Sequence, residues 1–175
     1  MKSLLLLTFI TLILTSCYKG NKHEAFQVTG MRPIYATNDD WKSITVSDGI
    51  PLQNLGKFYT KGNFIYAVQK GKGIHIINNS DPTSPVNIKF IEVTGISDLT
   101  IRGDILYADN IKDLIAIDIS DLDNIVVVQR LEGQYTNGEF LSPPDYQGYF
   151  ECVDLDKGVP IAWEEAALVN PACMK

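Results

Sequence analysis

The chain has 175 residues and a formal net charge of −6, from 15 lysines and arginines against 21 aspartates and glutamates. This length allows one ordinary domain with a hydrophobic core. An acidic chain without a cluster of basic residues is repelled by phosphate backbones, so we exclude nucleic acid as a partner.

The first element is the apolar run LLLLTFITLIL at residues 4–14, which follows Lys2 and precedes small residues. The run is shorter than the ~20 apolar residues that span a bilayer, and its flanks are those of a secretory signal peptide. Its end, LTSC, resembles the bacterial lipobox, in which the cysteine receives a thioether-linked diacylglycerol and the preceding peptide is removed. The resemblance implies a signal peptide at residues 1–16, lipidation of Cys17 and a tether at residues 17–25. An ordinary cleaved signal with an incidental Cys17 is the alternative.

The middle of the chain repeats itself. TKGNFIYAVQKGKGIHIINNSDPTSPVNIKFIEVTG at residues 60–95 aligns with TIRGDILYADNIKDLIAIDISDLDNIVVVQRLEG at residues 100–133. Short segments rich in β-branched and aromatic residues, bounded by Gly, Asn, Asp and Pro, predict four strands in each unit. The predicted strands are residues 55–60, 64–69, 73–78 and 86–93, then 97–102, 105–108, 114–119 and 125–131. A four-stranded unit of about 40 residues has the size of a propeller blade.

These units predict an all-β fold with two full four-stranded propeller-like blades and a partial one at residues 33–52. We assign residues 26–145 to this repeat domain and residues 146–175 to an irregular C-terminal capping segment. Two blades fall short of the four that close a ring, so blade faces and edges need a cover. We favour the terminal segments as that cover, and a second copy of the chain or another partner is the alternative.

Two cysteines lie in the C-terminal segment. An exported chain meets an oxidising compartment, so we predict a disulfide between Cys152 and Cys173 that staples the tail. Two free thiols are the alternative.

GIHIINNSDPTSPV and LIAIDISDLDNIVV resemble the LVIVD repeat, in which an apolar strand runs into Asp-x-Ser-Asp-Pro-x-x-Pro and a second strand. The resemblance covers about residues 35–133 and implies a β-propeller-like fold, but no particular activity. Longer blocks around the two motifs also resemble exported lipoproteins of Gram-negative bacteria. The chain departs from the motif at Leu122 and Ile125, which replace the two prolines, and at Asn78 and Asn79.

Few residues suggest chemistry. His75 lies within a predicted strand, and the other histidine, His23, lies in the tether, so a structural or surface role is favoured over a metal or catalytic one. Asp118, Asp121, Asp123 and Asn124 offer oxygen ligands for Ca²⁺ but lack EF-hand spacing, so a solvated turn is favoured there and at residues 38–40. Tyr66 and Tyr107 share one repeat position and are predicted to be core residues.

No catalytic serine elbow, zinc-protease or phosphate-loop motif is present in the sequence. A carboxylate pair for glycoside cleavage is an arbitrary choice among many acids. Those acids are Glu139, Glu151, Asp154, Asp156, Glu164 and Glu165. We therefore predict no catalytic residue, no cofactor and no metal.

The sequence favours a non-enzymatic lipoprotein of the cell envelope, anchored in the bilayer through Cys17 and acting as a binding or assembly module. Its expected partner is an envelope protein or a second copy. We place it on the periplasmic face of the outer membrane, because residues 18–22 lack the acidic cluster that resembles a surface-export signal. An envelope hydrolase acting on glycan or peptide, and a purely structural envelope protein, are the alternatives.

Overall fold

The computed structural model describes residues 25–36, 38–135 and 139–175, which form an all-β fold, as predicted. The strands are β1 (Gln27–Ala36), β2 (Thr45–Asp48), β3 (Leu55–Lys61), β4 (Phe64–Gln69), β5 (Gly73–Asn78), β6 (Val86–Glu92), β7 (Leu99–Arg102), β8 (Ile105–Asn110), β9 (Asp113–Asp118), β10 (Val126–Leu131), β11 (Tyr149–Phe150), β12 (Val159–Val169) and β13 (Cys173–Met174). Single-turn 3₁₀ helices form at Asp39–Lys42, Glu139–Leu141 and Leu155–Lys157. The described residues contain no helix with the length and hydropathy that a bilayer crossing requires.

Each predicted repeat unit folds into one antiparallel blade. The first blade has the strand order β2-β6-β5-β4-β3 and the second has the order β10-β9-β8-β7. Both repeat units begin with a hairpin, β3–β4 and β7–β8, whose turn has a glycine at the same repeat position, Gly62 with φ 55° and Gly103 with φ 60°. A residue with a Cβ is strained at these angles, so the glycines allow the same tight turn twice.

Within the predicted partial unit at residues 33–52, β2 joins the first blade as a fifth strand, whereas residues 33–36 belong to β1 in a different sheet. β2 pairs antiparallel with β6, from Thr45 opposite Glu92 to Asp48 opposite Lys89. No strand occupies the corresponding edge of the second blade, where β10 is outermost among the described residues. The two blades therefore differ at their outer edges.

The blades stack face to face around one apolar core. On the first blade Tyr66 lies opposite Ile76, and on the second Leu106 lies opposite Ile117. The fully buried members of this shared cluster include Tyr66, Val68, Ile74, Ile76, Ile91, Leu106, Ala108, Ile115 and Ile117. Burial of apolar side chains is the main stabilising contribution to such stacking. We call the side of each blade that lines this cluster its core face, and the opposite side its outward face.

The chain termini form a third sheet, in the order β12-β1-β11-β13. β1 and β12 pair antiparallel along nearly their whole length, from Gln27 opposite Val169 to Ala36 opposite Val159. The structure contains the predicted disulfide between Cys152 and Cys173, with the two Cα atoms 5.3 Å apart. Residues that we assigned to the repeat domain and to the capping segment thus share one sheet.

A buried polar network holds the N-terminal part of the chain to the second blade. The Arg130 guanidinium donates hydrogen bonds to Asp113 at 2.9 Å, to Asn110 at 2.7 Å and to the carbonyl of Lys42 at 2.8 Å. The amide of Asn110 donates to the carbonyl of Trp41 at 3.2 Å. Asp113 and Asn110 are completely buried, so these bonds replace the water that the polar groups lose.

Candidate binding surfaces

The stacking of the blades leaves one outward face at each end of the pair. Because the blades stack in the same orientation, the core face of the second blade is the sequence equivalent of the outward face of the first. Ala67, on the outward face, aligns with Ala108, on the core face of the second blade. The outward face of the first blade is thus the place where a preceding blade would pack.

A chain segment crosses part of this outward face. Residues 49–54 leave β2 at one edge of the blade and enter β3 at the other. Along the way the Gly49 amide donates to the carbonyl of Ile88, Asn87 donates to the carbonyl of Ile50, and the Lys70 amide donates to the carbonyl of Asn54. The segment covers the middle of the face, so the side chains below it are shielded from water.

The edge of the same face that β3 forms is exposed in the described part of the chain. A bulge between Leu55 and Phe58 places both residues opposite the alternating pair Gln69 and Ala67, and hence on one face. Phe58 is 71% exposed, and Leu52 and Leu55 are each 47% exposed. We call Leu52, Leu55 and Phe58 the Phe58 patch.

The repeat provides an internal comparison for this patch. Leu99 pairs with Ala108 as Phe58 pairs with Ala67, so the two residues occupy one repeat position. Leu99 lies under the first blade and is 8% exposed, whereas Phe58 is 71% exposed. A position that is covered in one blade is open in the other because, among the described residues, no blade precedes the first.

His75 lies under residues 49–54 and is completely buried, so it is not the surface residue that the sequence also allowed. Its Nε2 lies 2.8 Å from Oε1 of Gln69, and its Nδ1 lies 3.1 Å from Nδ2 of Asn87. An amide nitrogen can only donate, so Nδ1 accepts and Nε2–H donates, which is the neutral imidazole. Burial lowers the pKa of His75, partly offset by its contact with Asn87. The ring also packs on Phe90, with centroids 4.8 Å apart.

The acidic runs serve local turns. Asp118 accepts a hydrogen bond from the Ser120 amide at 2.8 Å, and Asp121 accepts one from the Asp123 amide at 2.9 Å. The bonds from Ser120 lower the pKa of Asp118. At residues 38–40, the side chain of Asn38 accepts from the Asp40 amide. Among the described residues no group of three or more His, Cys, Asp or Glu is placed to hold a metal ion.

Four of the six carboxylates considered for hydrolysis have other partners or point apart. Glu151 pairs with Arg32 at 3.0 Å, and Asp154 accepts from the Asp156 amide at 3.1 Å. Glu164 and Glu165 are neighbours on β12, so their side chains leave opposite faces of the sheet. The side chain of Glu139 is outside the described part.

The two equivalent tyrosines differ in their surroundings. Tyr66 is a core residue, as predicted, and burial raises its pKa. Tyr107 pairs with Thr100 and Ala116 on the outward face of the second blade and is only partly buried. The prediction of a core residue is therefore wrong for Tyr107, because among the described residues no further blade covers this face.

One open cleft lies where the terminal sheet meets the repeats. It has a volume of about 360 Å³, and Trp41 forms part of its wall. The other lining residues are Tyr35, Ala36, Asn38, Asp40, Thr94 and Ile161. Its polar side chains are engaged with each other, because Asn38 Nδ2 donates to Asp40 Oδ2. We see no convergent set of free polar groups in this cleft.

Sequence reasoning missed the Phe58 patch. The sequence alignment matches Phe58 with Leu99. The exposure of Phe58, however, depends on whether another blade packs on the first one, and no local sequence pattern indicates this. The predicted signal peptide, Cys17, His23 and nearly all of the tether lie outside the described residues.

The fold and these surfaces define a repeat-based module of two propeller-like blades with an added terminal sheet. A family model for the LVIVD repeat matches residues 59–91 and 96–132, so the chain carries two LVIVD repeats. The two matches correspond to the two blades. No curated protein and no solved structure matches the chain.

Proposed function

We propose that this chain is a non-catalytic binding or assembly module of the cell envelope that takes its partner on the Phe58 patch. The observation that supports this proposal is the contrast between Phe58 and Leu99, one repeat position that is open in one blade and covered in the other. Exposed aromatic anchors beside aliphatic side chains are typical of the residues that dominate binding energy at interfaces. The proposed partner offers an apolar surface, as a neighbouring blade does.

Affinity capture of the tagged full chain from its own membranes tests this role. We expect a defined partner that is lost when Phe58 is replaced by serine, because the largest exposed apolar side chain of the patch is removed. Val86→Ser is the matched control, since Val86 is 56% exposed and lies near the opposite edge of the same blade. Equal capture by the Phe58→Ser variant and the parent chain would remove the patch from the proposal.

The anchor is a separate part of the proposal. We infer from the lipobox resemblance that an acylated Cys17 holds the module at a membrane, with the periplasmic face of the outer membrane as the expected site. Two or more acyl chains make such attachment persistent. The mass of the mature N-terminus tests it, and an unacylated product, or unchanged membrane retention after Cys17→Ser, would contradict it.

A further inference from the structure

The outer edge of the second blade has the geometry of a strand acceptor. In the first blade the equivalent edge strand, β6, pairs with β2. In the second blade β10 is the edge, and among the described residues no backbone group outside its own sheet bonds to it. An edge strand with unpaired N–H and C=O groups is a template for another strand.

The side chains of β10 favour such pairing. Val126, Val127, Val128 and Leu131 are between 40% and 53% exposed. Valine has a high strand propensity, and β10 contains none of the lysines or prolines that commonly protect an edge. It contains a bulge at Val128; β6 has its bulge at the equivalent residue, Ile88, and accepts β2 on the C-terminal side of that bulge, from Lys89 to Glu92.

The bulge also makes β10 complementary to a second, antiparallel β10. Val126 and Leu131 pair with Asp118 and Leu114, which lie on one face of β9. Val127 and Arg130 pair with Ile117 and Ile115, which lie on the other. A twofold axis between Val128 and Gln129 therefore sets Val126 opposite Leu131 of the second copy and Val127 opposite Arg130, each pair on a single face.

Charge selects the antiparallel arrangement. In that register Glu132 lies opposite Ile125, and Asp123 lies opposite Gln134, so no carboxylate meets another. A parallel pair would set each acid beside its own copy, which destabilises a sheet. Arg130, the charged residue of β10, is already paired with Asp113 of its own chain.

We propose that two copies of this chain associate through antiparallel pairing of their β10 strands, forming one continuous sheet from the two second blades. The association is isologous, because the same strand serves both copies. This pairing uses a surface separate from the Phe58 patch. A negative result for the dimer therefore leaves the proposed function unaffected, and the reverse also holds.

The test is sedimentation equilibrium of the full chain in density-matched detergent micelles. The parent chain is expected to dimerise, and Val126→Lys or Leu131→Glu to weaken the dimer about tenfold by placing a charge opposite an apolar residue in each pair. Val86→Lys is the matched control, because Val86 occupies the repeat position of Val126 in the first blade. Circular dichroism confirms the fold of each variant.

Mixing the Val126→Lys and Leu131→Glu variants tests the register. In a mixed dimer the introduced lysine of one copy faces the introduced glutamate of the other, and the remaining pair is the native valine and leucine. We expect the mixture to recover the affinity of the parent chain within about threefold. A parent chain that stays monomeric, a dimer insensitive to both substitutions, or a mixture no tighter than either variant alone would overturn the proposal.

Discussion

At the scale of single residues, the carboxylate of Asp113 is costly to bury and needs a partner of opposite charge. It is completely buried, and its charged partner is Arg130, at 2.9 Å. We expect Arg130→Met to lower the free energy of unfolding by about 3–5 kcal/mol, because it leaves a buried charge without its counter-ion. Urea unfolding measures this value.

The matched comparison is Arg32→Met, which breaks the exposed pair with Glu151 at 3.0 Å. Such surface pairs contribute about 0–1 kcal/mol. Similar losses in the two variants would show that burial does not set the network around Arg130 apart, contrary to our inference.

We expect the titration of His75 to make the stability of the fold depend on pH. Burial lowers its pKa, so the folded state binds the proton less readily than the unfolded chain does. Its contribution to stability is therefore complete above the unfolded value of about 6.5 and is lost as the pH falls below it. We expect the urea midpoint to decrease between pH 7.5 and pH 5.5, before the carboxylates of Asp81, Asp118 and Asp145, whose pKa values are lowered, begin to titrate.

The variant that checks this response is His75→Ile, because isoleucine is the residue at the equivalent position, Ile115. It removes the titrating group, so the decrease between the two pH values becomes smaller even if the variant is less stable overall. An unchanged pH dependence would assign the response to other groups.

At the scale of elements, the repeat made the strands of the blades predictable. β4 and β5 have the predicted bounds, and β6 and β10 differ from prediction by one residue at one end. Here alternating apolar residues, glycine turns and the duplicated motif all favour the same structure. β12 was not predicted, because it pairs with β1 at the opposite end of the chain and the pairing depends on contacts with no local sequence signature.

The disulfide belongs to that terminal sheet. It connects Cys173 on β13 with Cys152, which follows β11. Replacing both cysteines by serine releases a loop constraint of about 3 kcal/mol. We expect hydrogen exchange to accelerate first at β11 and β13, while the amides of the blades stay protected, because the terminal sheet has apolar packing of its own, Phe150 against Trp163 with ring centroids 5.6 Å apart, outside the cluster that the blades share.

The control is Ala172→Ser, a similar polar change at the exposed residue next to Cys173. Equal acceleration in the blades and in the terminal sheet of the double serine variant would mean that the three sheets unfold as one unit.

At the scale of the whole molecule, the sequence indicated two blades but not how an incomplete array would end. In the described part of the chain the array has three different endings, which are the segment 49–54 across the first blade, the partly buried outward face around Tyr107, and the edge at β10, with which no described strand outside its own blade pairs. Repeat arrays commonly need atypical terminal units, and here the segment that crosses the first blade is built from non-repeat sequence. The other two endings are repeat residues whose exposure depends on which neighbouring strands and blades are present, so the candidate surfaces became visible only with the fold.

The shared core makes the two blades depend on each other. Ile76 is completely buried in the cluster that side chains of both blades form. We expect Ile76→Ala to lower the free energy of unfolding by about 2–5 kcal/mol, through lost burial and a cavity that the stiff sheets on both sides cannot close. Because the cavity lies between the blades, hydrogen exchange should accelerate in β8 and β9 as much as in β4 and β5.

Val86→Ala, at an exposed position of the first blade, controls for the loss of a β-branched residue. Acceleration confined to the first blade would mean that each repeat is stable alone, and the open surfaces at Phe58 and β10 would then be properties of separate blades rather than of one cooperative pair.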